Sequence, residues 1–263
     1  MSELISGNIF QWISDLFSGG QSVKKDPKSK KDYKFRDLPA NKTSFKDIPE
    51  KIDLSSKMSI PINQGKLGSC VGCAGTAIMQ YWDNKKEGSN SSDLSEQYLY
   101  WNCEEIDNHA GEGTWPKCAM QVLKKKGIPI DRAWPYIDKF EHNTSPESWA
   151  DEDASKRKIV SYYRITTLKQ LLKALSSEGP TLASVFINTT WYEKGRKVFT
   201  IQKHPRILGA HAICLCGYDQ TTQKIKFINS WGNTWGENGY GWMTFEYFKK
   251  YKLDCWVPLL EGE

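Results

Sequence analysis

The hydrophobic periodicity of this chain changes character near residue 180, and that change limits the folds open to it. Before it, apolar residues recur at helical spacing. Ala74, Ala77, Ile78, Tyr81 and Trp82 predict a helix over about 70–84. Asp93-Leu94-Ser95-Glu96 reads as a capping box with Asp93 as the cap, opening a second helix through Tyr98 and Trp101. Pro116 is placed to open a third, which Gly127 ends. Thr167 to Gln170 is another capping box, and its helix stops at Gly179-Pro180. After the change, residues 182–187, 210–217, 224–230 and 240–245 read as strands separated by turn residues. Helices first and strands second argue for an α+β fold whose two halves meet at a cleft.

Ahead of this domain, placed at residues 50–263, the chain differs. Residues 1–20 carry an amphipathic helix with Ile5, Ile9, Trp12, Ile13 and Leu16 on one stripe. It suits packing on the domain, an inhibitory pro-segment or docking to a partner. Its lack of basic residues argues against a membrane-surface role. Residues 21–49 are polar and lysine-rich, and read as a solvated linker or short pro-segment. The run from Lys24 to Arg36 supplies much of the net charge of +5. No nucleic-acid-binding module accompanies it, so no nucleic-acid partner is expected. No stretch approaches a membrane span and no secretory signal is recognised, which points to the cytoplasm.

The chain has 7 Cys among 263 residues, an odd number in a chain long enough to need no staples. Cys70-Val71-Gly72-Cys73 has a redox spacing and could supply half of a zinc site, but no second Cys/His pair matches it. No metal or cofactor is expected. Cys70 follows a glycine-rich turn, Asn63-Gln64-Gly65-Lys66-Leu67-Gly68-Ser69, and begins a helix. There the helix dipole favours a thiolate. A thiol nucleophile needs a base, and an imidazole base needs an orienting group. His211 stands at the mouth of an apolar strand, and Asn229 at the end of the next.

The segments NQGKLGSC, LSEQYLYWNC, GTWPKCAMQVLKKKG, AHAICLCGYD and INSWGNTWGENGYG, in that order, resemble the papain and cathepsin family of cysteine peptidases. That family places its His and Asn about 130–150 residues after the Cys. Here His211 follows by 141 residues and Asn229 by 159. The resemblance implies a papain-like two-lobed fold, a helical N-terminal half and an antiparallel β-rich C-terminal half, with the active site between them. It implies Cys70 as nucleophile, His211 as general base and acid, Asn229 as the residue orienting the imidazole, and Gln64 as an oxyanion donor beside the Cys70 amide. Trp231 would shield the Asn–His contact. Gly113, Trp115 and Pro116 would bind substrate backbone, facing Gly209 and Ala210 across a subsite that takes a hydrophobic residue two positions before the cut. The implied activity is that of an endopeptidase acting on peptides or proteins through a thioester. Exopeptidase or transpeptidase chemistry on the same residues, and a peptide-binding pseudo-peptidase, are the alternatives. His109 would matter to an exopeptidase if it gripped a terminal carboxylate, and reads otherwise as a loop residue.

The chain also departs from the family pattern. Leu67 stands where the signature has a cysteine, and Val71 where it has an aromatic residue. The crosslink that staples this loop in the family cannot form at Leu67, and Cys103, at a half-cystine position, has no evident partner. The first 50 or so residues are too short for the family's long pro-segment.

Overall fold

The computed structural model describes residues 23–27, 29, 32–38, 48–88, 91–108, 113–138 and 145–260. The expected helix at 1–20 and His109 lie outside the described residues. The helical half holds α1 (Cys70–Glu87), α2 (Glu96–Ile106), α3 (Pro116–Lys125) and the short α4 (Ala150–Ala154). The second half carries strands β1 (Lys51–Asp53), β2 (Ser161–Arg164), β3 (Thr181–Asn188), β4 (Val198–Phe199), β5 (Ile207–Asp219), β6 (Lys224–Ile228), β7 (Tyr240–Thr244) and β8 (Lys252–Leu259). Helices α5 (Leu168–Ser177) and α6 (Phe245–Tyr251) pack beside them. Among the described residues the sheet runs β2-β8-β3-β5-β6-β7-β4, with β1 on β5. Every pairing is antiparallel except β4 with β7.

Local chemistry accounts for most boundaries. Thr167 caps α5 through its hydroxyl, and Gln170 returns the bond, as the sequence predicts. The cap of α2 is Ser95, not Asp93: its side chain accepts from the Tyr98 amide, while the Asp93 carbonyl is engaged by the Asp131 amide. A glycine in mid-helix costs about 1 kcal/mol. Gly72 recovers it by close packing, since a Cβ there would stand 2.7 Å from that of Tyr100.

β5 joins the two halves. Its residues are buried on both faces from Ala210 to Tyr218, which is why its sequence reads as an unbroken apolar run. Ala210, Ala212 and Cys214 face the helical core with Cys70, Ile78 and Leu99. Ile213 and Leu215 face the other core with Trp191, Phe227 and Phe248. The period of two places His211 on the second face, at the seam.

The lysine-rich segment, read as a solvated linker, is solvated only in part: Lys25, Pro27, Tyr33 and Arg36 are exposed, while other described residues are packed on the domain. Val23, Phe35 and Leu38 are buried in the cores, and Asp26 is 3% exposed. Asp26 accepts bonds from the Lys117 amide (3.0 Å) and the Trp256 indole (2.5 Å). Arg164 pairs with Asp32 at 3.0 Å and with Asp254, and its guanidinium lies 4.2 Å from the Trp256 ring centre. The strap is thus bonded to α3, β2 and β8 around a buried ionic core, and its Lys24 turns in to pair with the buried Asp107 at 3.3 Å. No helix among the described residues is long and apolar enough to cross a membrane.

Candidate active site

Cys70 is the first residue of α1, behind Ser69, and is fully buried. His211 on β5 and Asn229 after β6 are adjacent because β5 and β6 pair with Cys214 opposite Ile228. The His211 Nε2 lies 2.7 Å from Asn229 Oδ1. That oxygen also accepts from the Ser230 amide at 2.9 Å, which fixes the orientation of the side-chain amide. Since Oδ1 only accepts, Nε2 carries the proton and Nδ1 is left as the acceptor. Burial pushes the imidazole pKa down to about 4, and the Asn229 bond opposes the shift. An imidazolium is therefore costly here unless an anion stands beside it.

Trp231 lies against the imidazole, ring centres 4.8 Å apart, and Tyr192 stacks on that indole at 5.0 Å. Trp191 meets the imidazole edge-on at 6.2 Å. It is locked by its indole donating to Tyr247 at 2.8 Å. Sequence reasoning found Trp231 and missed Trp191 and Tyr192. Their only signal was the unusual number of aromatic residues, 13% of the chain.

Gln64 is 5% exposed. Its Nε2 donates to the Leu67 carbonyl at 2.8 Å, and its Oε1 accepts from the Ser230 hydroxyl at 2.5 Å. One N–H of the amide remains for another acceptor. Gly113 has φ +81, and Trp115 caps α3, with Pro116 as its first residue. Gly209 and Ala210 pair with Ile187 and Phe186 on β3. Ala210 and Cys70 share one apolar cluster, with Trp115 packed against it. All seven cysteines are free thiols and buried. Among the described residues no group of three or more His, Cys, Asp or Glu is placed to hold a metal ion.

The family model described as papain family cysteine protease matches residues 48–255. The chain belongs to the papain family of cysteine proteases. Among papain-family relatives, an uncharacterized peptidase C1-like protein of Acanthamoeba polyphaga mimivirus is 27% identical, covering 78% of this chain and 73% of that one. A cathepsin L-like proteinase of Phaedon cochleariae is 29% identical over 73% of this chain, which spans 59% of that relative's length. Among solved structures, xylellain, a cysteine protease from Xylella fastidiosa, superposes with a TM-score of 0.82. It is 25% identical, with coverage of 93% of this chain and 97% of that one. The papain-like α+β architecture expected from the sequence is the one observed.

Proposed function

We propose that the protein is a thiol endopeptidase in which Cys70 attacks the scissile carbonyl. The observation that carries this reading is the His211–Asn229 bond of 2.7 Å, which leaves Nδ1 free to take the thiol proton. The thiolate adds to the carbonyl carbon. The oxyanion is held by the spare Gln64 N–H and the Cys70 amide. His211 then protonates the leaving amine, and water cleaves the thioester. Burial of the imidazole supports this pairing, because the charged ring is stable only beside the thiolate. Trp115 and Ala210 against one apolar cluster support a hydrophobic residue two positions before the cut. Seven free thiols suit a reducing compartment such as the cytoplasm. Residues 1–20 remain a candidate for docking or inhibition.

The test is iodoacetamide alkylation from mildly acidic to neutral pH with the modified thiol mapped, alongside digestion of an unstructured protein with product masses read. A form lacking residues 1–22, cut ahead of the packed Val23, runs in parallel. Fast labelling of Cys70 near about pH 5–6 and internal cuts support the reading. Release of one or two residues gives the exopeptidase, and mass-added products the transpeptidase. Ordinary thiol reactivity in both forms gives the pseudo-peptidase. Faster labelling of the truncated form alone assigns inhibition to its N-terminal residues.

A further inference from the structure

The loop from Gln64 to Ser69 delivers both groups assigned to the oxyanion, yet position 67 is leucine and no thiol in the chain is crosslinked. Bonds at Gln64 hold one flank: its amide donates to the Ser230 carbonyl at 2.8 Å, and its side chain is bonded to Ser230 and Leu67. The Gln64 carbonyl and the Ser69 hydroxyl are both taken by a single group, the phenol of Tyr136. It donates to the Gln64 carbonyl at 2.9 Å and lies 2.5 Å from Ser69 Oγ. A phenol has one proton. With that proton on a carbonyl that only accepts, Ser69 must donate to Tyr136. Ser69 is then left as acceptor toward the Cys73 thiol, 3.7 Å away and one turn into α1.

The direction of every bond in this chain of groups follows from the carbonyl at its end. Its base is firm as well. Tyr136 follows the short turn Asp131–Ala133, and the next amide, Ile137, donates to Gln97 on α2 at 3.3 Å. The phenol thus ties the start and end of the loop to the helical half.

We propose that Tyr136 is a positioning residue for the oxyanion donors, holding the Gln64–Ser69 loop by two hydrogen bonds where position 67 offers no covalent link. The proposal rests on the reading of Gln64 and the Cys70 amide as those donors. Without the phenolic oxygen, the Gln64 carbonyl and Ser69 lose their shared anchor, and the two donors lose their fixed separation. Binding of substrate elsewhere in the cleft is untouched.

The experiment compares Tyr136→Phe with the unaltered full-length chain. Two probes of Cys70 separate the roles. A peptide aldehyde adds to the sulfur, and its carbonyl oxygen takes the place of the oxyanion. Dipyridyl disulfide exchanges with the thiolate and needs no oxyanion donor. Expected are a fall of about ten-fold in kcat with KM little changed, a matching loss of aldehyde affinity, and a disulfide-exchange rate within about two-fold of the unaltered chain. Unchanged kcat and aldehyde affinity would overturn the proposal, as would a parallel loss in both probes, which would make Tyr136 a general support of the fold. Gln64→Ala tells apart the two ways of failing. If it leaves kcat and aldehyde affinity unchanged, the assignment of the donors is wrong, whatever Tyr136→Phe does. Should Tyr136→Phe not fold, Ser69→Ala removes one of the two bonds, and the same pattern at smaller size is required of it.

Discussion

Arg164→Met tests whether the N-terminal strap is held by its ionic core. The guanidinium meets three carboxylates, Asp254, Asp32 at 3.0 Å and Asp26 at 3.7 Å, whose side chains are 3%, 5% and 0% exposed. Methionine keeps the packing on Trp256 but leaves those acids facing Lys117, which pairs with Asp32. Removing one partner of a buried pair costs about 3–5 kcal/mol, because the other charge stays behind. The cost should depend on pH. Burial and Asp254 hold the Asp26 pKa up at about 6, against 3.8 for the ordinary group. A raised carboxyl contributes stability that is complete below the unfolded value and lost as pH rises through the folded one. Without Arg164 the folded value rises further, so the acid escapes part of the penalty by staying protonated at pH 5 and less of it at pH 8. Urea unfolding followed by tryptophan fluorescence should show a loss of about 3–5 kcal/mol at pH 8 and a smaller one at pH 5. Equal midpoints at pH 8, or equal losses at both values, would refute the reasoning.

Three further outcomes are expected. Asn229→Ala should lower kcat/KM by about 10²-fold with the fold retained, because the imidazole loses the acceptor that fixes its tautomer; peptide turnover beside a far-ultraviolet spectrum checks it. In Cys70→Ala, which removes the thiol, His211 should stay neutral until about pH 4, read from its ring resonances. That depressed histidine contributes stability present above about pH 6.5 and lost as pH falls through about 4, and a titration near 6.5 would contradict its burial. Gly127→Ala should cost more than about 2 kcal/mol in thermal unfolding, since φ is +90 and a Cβ would stand 2.0 Å from the Ala154 carbonyl oxygen; an unchanged midpoint would count against the packing of α4 there.

What the sequence disclosed was local. Cys70 announces itself by the glycine-rich turn before a helix, and Asn229 by the INSWG segment that ends a strand. Thr167 and Gln170 cap a helix within four residues of each other, so their pattern is complete in one window. The strap lacked such a pattern. Its buried residues, Val23, Asp26, Phe35 and Leu38, are scattered among lysines with no period, and the partners of Asp26 lie on α3 and β8. β8 was overlooked because Asp254 and Pro258 interrupt its apolar run; the acid is there to meet Arg164. Tyr136 was unreadable for the same reason. A phenol that braces a distant loop leaves no mark on its neighbours in sequence.

The stretch that leads into the Gln64 loop pairs with the stretch that follows Asn229. Asn63 is bridged antiparallel to Trp231, the Gln64 amide donates to Ser230, and the Gly232 amide donates to Ile62 at 2.9 Å. The two stretches are therefore laced together by main-chain bonds that, among substitutions, only proline at a donating position deletes outright. Gln64 and Asn229 thereby share one main-chain frame, so a variant that shifts either stretch is expected to shift the other.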